Sequence, residues 1–217
     1  MNQFKAWLIS ADDGRKLGLF RIVFGALMVV KMLSYYKGEF IQKGILAPKL
    51  HFTFDGFEWV KPLPNSAMQA ILAAMLISAV LLTLGRWMRA ACAVLAAGSW
   101  YFLFLEKAYF NNHLYFFILL YVLLMFTEAD RFYAWNDKSP TPREVPKWQV
   151  FILELQVMVV YFYGGIAKIN SDWLFRQEPV RSMLNGGIFA GNELAVQFFS
   201  IGGLVIDLFA PLLLWWK

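Results

Sequence analysis

The sequence has little of the chemistry on which most metal and thiol sites depend. It contains one cysteine, Cys92, and two histidines among 217 residues. A single cysteine cannot form an intrachain disulfide, and so few thiol and imidazole ligands disfavour a conventional metal site. Zinc-ligand spacing, a phosphate-binding glycine loop and a nucleophile elbow are also missing. The sequence therefore predicts no bound metal and gives no sign of the common nucleotide-binding or acyl-transfer chemistries.

Charged residues are scarce as well, at 16% of the chain, against about 25% in an average soluble protein. Apolar residues make up 59%. They fall in blocks of about 17–22 residues, the length needed to cross a hydrocarbon core about 30 Å thick. We therefore predict an all-α, polytopic transmembrane helical bundle with about six spans. The predicted spans are 17–36, 67–84, 87–105, 113–127, 148–167 and 194–216.

Tryptophan and basic residues indicate how the spans are oriented. Trp87 and Trp148 lie at predicted span ends, where amphipathic rings favour the headgroup layer. Six spans put both termini on one side, and the short loops favour that side, with Arg86 and Arg89 against Lys107. The positive-inside rule then predicts a cytoplasmic N-terminus. The formal net charge of +5 fits contact with lipid headgroups, so we expect the bilayer as a partner and no nucleic acid.

Ionisable side chains at membrane depth are costly, so each needs a partner or a function. Lys168 ends the fifth span. It is either a lysine that reaches the lipid interface, with Asp172 as a partner, or a partly buried amine that acts as a base. His113 opens the fourth span and either follows a helix cap formed by Asn112 or donates to an oxyanion. Counting spans places His113 and Lys168 at one membrane face.

Other polar and small residues within the spans have simpler expected roles. Arg21 and Glu154 lie one to two turns into the first and fifth spans from the same side, so we expect an ion pair between them. Asp207 lies near the middle of the last span, and we expect it to be neutral, hydrogen-bonded or paired with Lys31. A ligand contact for Asp207 stays open. Gly164–Gly165 would let a flat ring or another helix approach the backbone.

Three segments resemble a known family. They are Gly165–Trp173 (GIAKINSDW), Asn111–Tyr115 (NNHLY) and Gly56–Pro64 (GFEWVKPLP). Together they resemble the vitamin K-dependent gamma-carboxylase family and, more broadly, the HTTM membrane domain that this enzyme shares with many bacterial proteins. The resemblance covers nearly the whole chain. It implies an integral multi-pass protein of the bacterial inner membrane or an equivalent membrane.

The resemblance also implies a reaction. Lys168 matches a lysine that acts as base toward vitamin K hydroquinone, and His113 matches a histidine that holds the oxygenated intermediate. Oxygen addition gives a basic alkoxide that removes a proton from the γ-carbon of a glutamate, and the carbanion captures carbon dioxide. The implied cofactor is vitamin K hydroquinone or a related quinol, with O2 and CO2 as co-substrates, no metal, and a glutamate-containing peptide or protein as partner. Further residues expected at the substrate or quinone site are Asn112, Gly164, Gly165, Asp172 and Trp173.

The chain departs from the animal carboxylase in two places. Ala167 stands where that enzyme has the first of two adjacent lysines, and the chain stops after the sixth predicted span, before the lumenal region that binds substrate. We therefore expect either the membrane part of a longer bacterial carboxylase-like protein or a short HTTM protein. The alternative function is a non-enzymatic membrane module that binds lipid or quinone, or acts in peptide export or immunity. A small transporter is disfavoured, since no inverted repeat and no pair of broken helices is visible.

Overall fold

Helices dominate the structure, which is a computed structural model that describes residues 3–135 and 144–215. The regular elements in chain order are α1 (Gln3–Ile9), β1 (Ala11–Asp13), α2 (Arg15–Lys37), α3 (Asn65–Leu84), α4 (Met88–Leu105), α5 (Asn112–Met125), β2 (Glu144–Pro146), α6 (Trp148–Ala167), α7 (Glu178–Leu184) and α8 (Glu193–Trp215). Shorter helical turns lie at Phe40–Leu46, Lys107–Tyr109, Ala129–Arg131 and Asp172–Arg176. The predicted all-α helical class is confirmed.

Each segment expected to cross the membrane forms a helix whose ends lie within two residues of the expected ones. Residue 216, where the last span was expected to end, lies outside the described residues. Within the described residues, five helices are long and apolar enough to cross a membrane: α2, α3, α4, α6 and α8. The sixth, α5, has 14 residues, which is about 21 Å of helix against a core of about 30 Å. The chain is thus a multi-pass membrane protein with one short helix.

A glycine makes the tight connection between α3 and α4. Gly85 adopts φ +70° at the end of α3, a left-handed conformation that costs glycine little. The backbone N–H of Gly85 donates to the carbonyl of Leu82, and that of Arg86 donates to Leu81. These bonds satisfy carbonyls that the helix end would leave without partners. The chain can therefore reverse direction within about three residues and start α4 directly.

Residues 1–152 form the first of two compact units. In it α2 packs on α3, α3 on α4, and α4 on α5. Methionine and leucine side chains fill the space between these helices, and Met68, Leu82 and Leu95 are fully buried. A short antiparallel pairing of β1 with β2 sets Asp12 opposite Val145, so the segment before α2 and the segment before α6 lie side by side.

Hydrogen bonds at the helix ends show that neighbouring helices of the first unit run antiparallel. Nε of Arg89, at the start of α4, donates to the carbonyl of Met125, the last residue of α5, at 3.2 Å. At the other end of this helix pair, the Tyr109 hydroxyl donates to the carbonyl of Gly44, just beyond α2, at 2.9 Å. The short α5 therefore returns the chain to the level at which α4 begins.

Residues 153–217 form the second unit, which holds most of α6 together with α7 and α8. Here α7 and the turn at Asp172–Arg176 pack on α8. Arg181 of α7 binds Glu193 at the start of α8, with Nη2 and Oε2 2.8 Å apart. Only 17% of the most apolar stretch is buried in α6 and in α8. The long helices of this unit therefore present apolar side chains outward, as helices facing lipid do.

Candidate functional site

The segment from Lys168 to Trp173 ends α6 in a turn that Asn170 holds. The Asn170 side-chain amide donates to the carbonyl of Ala167 at 2.7 Å, and its Oδ1 accepts the backbone N–H of Trp173 at 2.9 Å. These bonds satisfy a carbonyl of the last turn of α6 and fix the direction of the following chain. The motif thus has a local structural reason for its asparagine, and it sets Lys168 and Trp173 beside each other.

Lys168 forms an ion pair with Asp207 of α8, and both belong to the second unit. The Lys168 ammonium lies 2.6 Å from Oδ2 of Asp207 and 3.5 Å from the carbonyl oxygen of Gly203. It also lies 4.8 Å from the centre of the Trp173 ring, within the range of a cation–π contact. The two charged side chains are 23% and 18% exposed, so the pair is largely withdrawn from the surroundings without being sealed.

Trp173 is fastened to α8 at both its ring and its backbone. Its indole Nε1 donates to the carbonyl of Ser200, and the Ser200 hydroxyl donates back to the carbonyl of Trp173, each at 2.9 Å. Ser200 is 1% exposed. This reciprocal pair of bonds holds the ring face against the Lys168 ammonium. Trp173 was expected at the candidate site on the strength of the motif, whereas Ser200 was not.

The glycine pair before Lys168 lies against α8. A Cβ at Gly165 would come 2.7 Å from the Leu208 side chain and 3.2 Å from the Leu208 backbone nitrogen, and one at Gly164 would come 3.2 Å from Oδ2 of Asp207. These glycines were expected to let either a flat ring or another helix come close to the backbone, and the structure places another helix, α8, against them. Their role in binding a quinone stays a prediction.

Two expected ionic partners are wrong. Asp172 binds Arg176 one turn further on, at 3.1 Å, because both lie on one side of the turn at Asp172–Arg176 while Lys168 points to α8. Asp207 was expected to be neutral, hydrogen-bonded or paired with Lys31. It is hydrogen-bonded, and its partner is Lys168 rather than Lys31. Lys31, in the first unit, lies over the rings of two neighbours at 5.0 and 5.6 Å, which are Tyr35 and Phe117.

His113 lies in the first turn of α5 in the first unit, and its side chain is exposed. The helix cap is Asn111, whose Oδ1 accepts the backbone N–H of Leu114 at 2.7 Å. The expected cap, Asn112, is already the first residue of the helix, so that expectation was wrong by one position. His113 and Lys168 belong to different compact units, and their convergence on one site stays a prediction.

Arg21 is completely buried and is bound by backbone rather than by Glu154. Its guanidinium donates to the carbonyls of Leu82, Ala129, Phe132 and Tyr133 at 2.7 to 3.1 Å, and also to that of Thr83. Five N–H donors thus meet five carbonyls, which is the full capacity of the group. The expected Arg21–Glu154 ion pair is therefore wrong, since no donor remains for a carboxylate. Glu154 lies half-buried in α6.

Sequence spacing could have found part of the missed site. Ser200, Gly203 and Asp207 follow one another at intervals of three and four residues, the spacing that places side chains on one face of a helix. A polar face on an otherwise apolar helix is a signal that it meets another polar group. Among residues 3–135 and 144–215, no group of three His, Cys, Asp or Glu side chains could hold a metal ion.

The comparisons with known proteins agree with the motifs. No solved structure matches the chain. The sequence model of the HTTM domain matches residues 10–217, which takes in every helix from α2 onward and both the His113 and Lys168 segments. A match over nearly the whole chain leaves one conclusion: the chain belongs to the HTTM domain family.

Proposed function

We propose that this chain is the membrane-embedded part of a gamma-glutamyl carboxylase-like enzyme, in which epoxidation of a hydroquinone drives carboxylation of glutamate. The observation that carries the proposal is the Lys168–Asp207 pair, 2.6 Å apart and bordered by the Trp173 ring. A largely buried amine next to a carboxylate, at the end of a membrane helix, is a rare and costly arrangement. It is the arrangement that a proton transfer at membrane depth requires.

In this proposal the Lys168–Asp207 pair holds two protons: the one that Lys168 gives up and the one that it takes from the substrate. Nζ of Lys168 donates a hydrogen bond to the Asp207 carboxylate. Transfer of that proton to Asp207 gives a neutral carboxylic acid and a neutral amine, and the neutral amine is the form in which Lys168 can act as a base. The amine of Lys168 then takes the proton of a substrate hydroxyl and becomes the ammonium again. The new oxyanion has that ammonium beside it, and Asp207 holds the first proton.

The surroundings of the pair fit a flat phenolic ring. The Trp173 face lies beside Lys168 and offers a surface on which a ring can stack. Gly203 has no side chain, and a Cβ there would lie 3.5 Å from the Lys168 nitrogen and 3.8 Å from the Trp173 ring. When bound, the hydroquinone supplies, with O2, the strong base that takes the proton from the γ-carbon of glutamate, to which CO2 adds. Vitamin K hydroquinone or a related quinol is the proposed compound.

In this proposal His113 serves as a hydrogen-bond donor to a negatively charged oxygen. It lies in the first turn of a 14-residue helix, where the backbone N–H groups and the helix dipole favour negative charge. The proposal requires the first turn of α5 and the Lys168 segment to face a common site. Asn112, Asp172 and the glycine pair at 164 and 165 belong to the same proposed surroundings, with a glutamate-containing peptide as partner.

The direct test uses membranes that carry the protein. They are incubated with a glutamyl peptide, reduced vitamin K, oxygen and labelled bicarbonate, and both labelled peptide and quinone epoxide are measured. Lys168→Ala and Asp207→Asn are expected to reduce both products at least a hundredfold, the usual loss when a catalytic base or its proton partner is removed.

A matched control lies at the other end of α6. Lys147 lies 4.8 Å from the centre of the Trp7 ring, the same separation as between Lys168 and Trp173, and Lys147→Ala is expected to retain both products. An absence of label and epoxide in the folded native protein would remove the carboxylase proposal.

A second function is binding of lipid or quinone without turnover. The close contact of α6 with α8 at Gly165 favours it, because the Lys168–Asp207 pair then serves only to hold the same two helices together. The two functions separate on one variant pair. If Lys168→Met alone abolishes the cellular phenotype while Lys168→Met with Asp207→Leu restores it, the pair is structural, since the double variant keeps the packing but carries no base.

We propose a cytoplasmic N-terminus for the multi-pass arrangement. The argument is the pair of arginines in the α3–α4 connection, Arg86 and Arg89, since cytoplasmic loops carry the excess of basic residues. Cys92, the only cysteine, is completely buried, so a cysteine introduced elsewhere reports its own position. Asp12→Cys is expected to resist a membrane-impermeant thiol reagent in intact cells, and Asp55→Cys to react. The reverse pattern would place the N-terminus outside.

A further inference from the structure

Residues 51–60 form a loop without regular structure in the first unit, and we call them the cover segment. Phe57 of this segment stacks on Phe104 of α4, with ring centres 4.1 Å apart. Phe54 packs against a buried apolar cluster between α4 and α5. The cluster consists of Leu103, Leu114 and Ile118. The cover segment thus lies over the contact between the end of α4 and the start of α5.

A phenol holds the chain just after the cover segment. The Tyr101 hydroxyl of α4 donates to the carbonyl of Lys61 and accepts the backbone N–H of Leu63, each at 3.1 Å. A phenol keeps its proton at neutral pH. These two bonds therefore persist when the pH changes around neutrality, and the chain stays attached to α4 at this point.

The start of the cover segment is bound to Glu106, the residue that follows α4. The backbone N–H of Lys107 donates to the carbonyl of Phe52 at 2.6 Å. The Glu106 carboxylate accepts the backbone N–H of Ala108 at 3.0 Å and that of Phe52 at 3.4 Å. Glu106 is only 5% exposed, and a buried carboxylate is costly unless it is paired as well as hydrogen-bonded. Since one of its two bonds is long, Glu106 needs a cation nearby.

His51, the first residue of the cover segment, supplies that cation only when it is protonated. Its Nδ1 lies 3.3 Å from Oε2 of Glu106, and the side chain is 20% exposed. The same nitrogen is buried and has no hydrogen-bond partner among the described residues, so the contact depends on charge. Histidine ordinarily changes its charge between about pH 5 and pH 8. A protonated ring pairs with Glu106, whereas a neutral ring leaves the buried carboxylate without a cation.

The other titratable side chains on the neighbouring segments do not replace His51. These side chains are Lys49, Asp55, Glu58, Tyr101, Lys107, Tyr109 and His113. In the part of the chain that the structure describes, none of them forms an ion pair with His51 or Glu106. Glu58 binds the backbone of its own segment, and the Lys107 ammonium lies over the Phe54 ring at 5.5 Å. The protonation of His51 therefore decides the charge balance at Glu106.

We propose that His51 and Glu106 form a pH-sensitive latch that holds the cover segment on α4 and α5. At about pH 6 the protonated ring binds Glu106 and the segment is closed. At about pH 8.5 the neutral ring releases the start of the segment, which swings about the Tyr101 bonds and exposes Leu114 in the first turn of α5. This inference goes beyond the proposed carboxylation, because it concerns access to one face of the first unit and needs no turnover.

The test measures how fast a thiol reagent reaches a cysteine beneath the cover segment of the full chain in detergent. Leu114 is 8% exposed and Trp59, on the cover segment, is 75% exposed, so Leu114→Cys and Trp59→Cys report a covered and an open position. Cys92 is 0% exposed and stays silent. The ratio of the two labelling rates corrects for the general rise of thiolate with pH. We expect this ratio to rise about threefold to fivefold from about pH 6 to about pH 8.5, as one partly exposed ion pair supports. An unchanged ratio would overturn the proposal.

Variants assign the change to the latch. His51→Gln cannot gain a proton and is expected to give, at both pH values, the higher ratio that the native background gives at about pH 8.5. Glu106→Gln removes the negative charge but keeps an acceptor for the Ala108 N–H, and should behave in the same way. His113→Gln is the matched control, because His113 is the other histidine of the chain, and it should keep the native rise. A rise of native size in His51→Gln, or its loss in His113→Gln, would contradict the assignment.

Two further measurements separate opening of the segment from general unfolding. Leu95 lies in the interior of α4 and is 0% exposed, so Leu95→Cys should stay unlabelled at both pH values. Returning a sample from high to low pH should restore the low ratio. Labelling of Leu95→Cys at high pH, or a ratio that does not return, would reject the latch. Failure here is distinct from failure of the proposed function, since labelling reads the cover segment and the carboxylation assay reads Lys168.

Discussion

The two units each withdraw a cation from the surroundings, and they satisfy it in opposite ways. In the first unit, Arg21 is 0% exposed and meets five backbone carbonyls. In the second, Lys168 is 23% exposed and meets one carboxylate, one distant carbonyl and a ring face. Arg21 has no donor left, whereas the Lys168 ammonium can still donate a hydrogen bond to another molecule. A saturated cation is typical of structure, and an unsaturated one is typical of a site.

The long helices of the first unit are also more buried than those of the second. Between 33% and 56% of the most apolar stretch is buried in α2, α3 and α4, against 17% in α6 and α8. In the first unit Gly25 of α2 lies against the Thr83 backbone, whereas in the second Gly165 lies mainly against the flexible Leu208 side chain. The helices of the first unit are thus packed more closely than α6 and α8 of the second.

The largest expected effect comes from removing the saturated cation. Arg21→Met removes a donor from five carbonyls that lie in three separate segments, the end of α3 and two positions beyond α5. The Leu82 carbonyl keeps the N–H of Gly85, and the other four lose the donor that Arg21 supplied. Each buried acceptor without a partner costs about 1–3 kcal/mol, so we expect a loss of at least about 3 kcal/mol in the free energy of unfolding. Thermal and denaturant unfolding in detergent measure it.

The control is an exposed arginine near the same segments. Arg131 pairs with Glu128 on the surface, and Arg131→Met is expected to cost less than about 1 kcal/mol. Arg21→Lys provides three donors in place of five and should fall between the two. Equal stability of Arg21→Met and Arg131→Met would show that the five carbonyls find other partners.

The next effect concerns the glycines. A Cβ at Gly25 would lie 2.8 Å from the backbone nitrogen of Thr83 and 2.9 Å from its Cα, and backbone cannot move aside as a side chain can. We expect Gly25→Ala to lower the free energy of unfolding by about 2–3 kcal/mol and Gly165→Ala by about 1 kcal/mol. Gly202 has no atom within 4 Å of a built Cβ, and Gly202→Ala should cause no loss. A larger cost at Gly165 than at Gly25 would reverse the ranking of the two helix contacts.

Sequence reasoning could predict the helices and the costly residues, since both depend on local properties. Apolar length gave the helix ends to within two residues. The rule that ionisable groups at membrane depth need an explanation selected Arg21, Lys168 and Asp207 without any contact being known. The glycine pair at 164 and 165 indicated a close approach for the same reason, because a missing Cβ is visible in the sequence.

The partners of these residues could not be predicted, because they depend on how helices rotate and pack. The five acceptors of Arg21 are backbone carbonyls, and every residue has one, so no residue type marks them. The only ionic partner expected for Asp207 was Lys31, and it is the packing of α6 on α8 that brings Lys168 to Asp207 instead. Asn111 and Asn112 differ by a single position, and the backbone at Asn111, with φ −144° and ψ 152°, decides which of them caps the helix.

A smaller effect is expected from the ion pair, and it can be cancelled. Lys168→Met leaves a largely buried carboxylate, and Asp207→Leu leaves a largely buried ammonium, so each single change should cost about 1–1.5 kcal/mol. The double variant leaves neither charge and should return to within about 0.5 kcal/mol of the native protein. Chemical unfolding of the four proteins gives the coupling energy. No such rescue exists for Arg21, because a mutation cannot remove its backbone carbonyl partners. If the losses at Lys168 and Asp207 were additive, the contrast between a cation bound by a side chain and one bound by backbone would disappear.

The smallest effect is expected at a surface ion pair at the start of α2, between Arg15 and Asp13. The Arg15 side chain and backbone both donate to the Asp13 carboxylate at 2.9 Å, and these bonds lower the pKa of Asp13 to about 2. Because the carboxyl of the unfolded chain titrates near about 3.9, the pair favours the folded state above that pH, and the contribution disappears as the pH falls through about 2. The Asp13 side chain is 35% exposed and that of Arg15 is 56% exposed, so water and salt screen the pair and the contribution is small. We therefore expect Asp13→Asn to lower the unfolding temperature slightly at pH 6 and by much less at pH 2, where about half of the Asp13 carboxyl groups are protonated. Asp55→Asn, at an exposed loop position, is the control and should have no effect at either pH. A difference as large at pH 2 as at pH 6 would mean that Asp13 acts through its hydrogen bonds as a neutral group rather than through its charge.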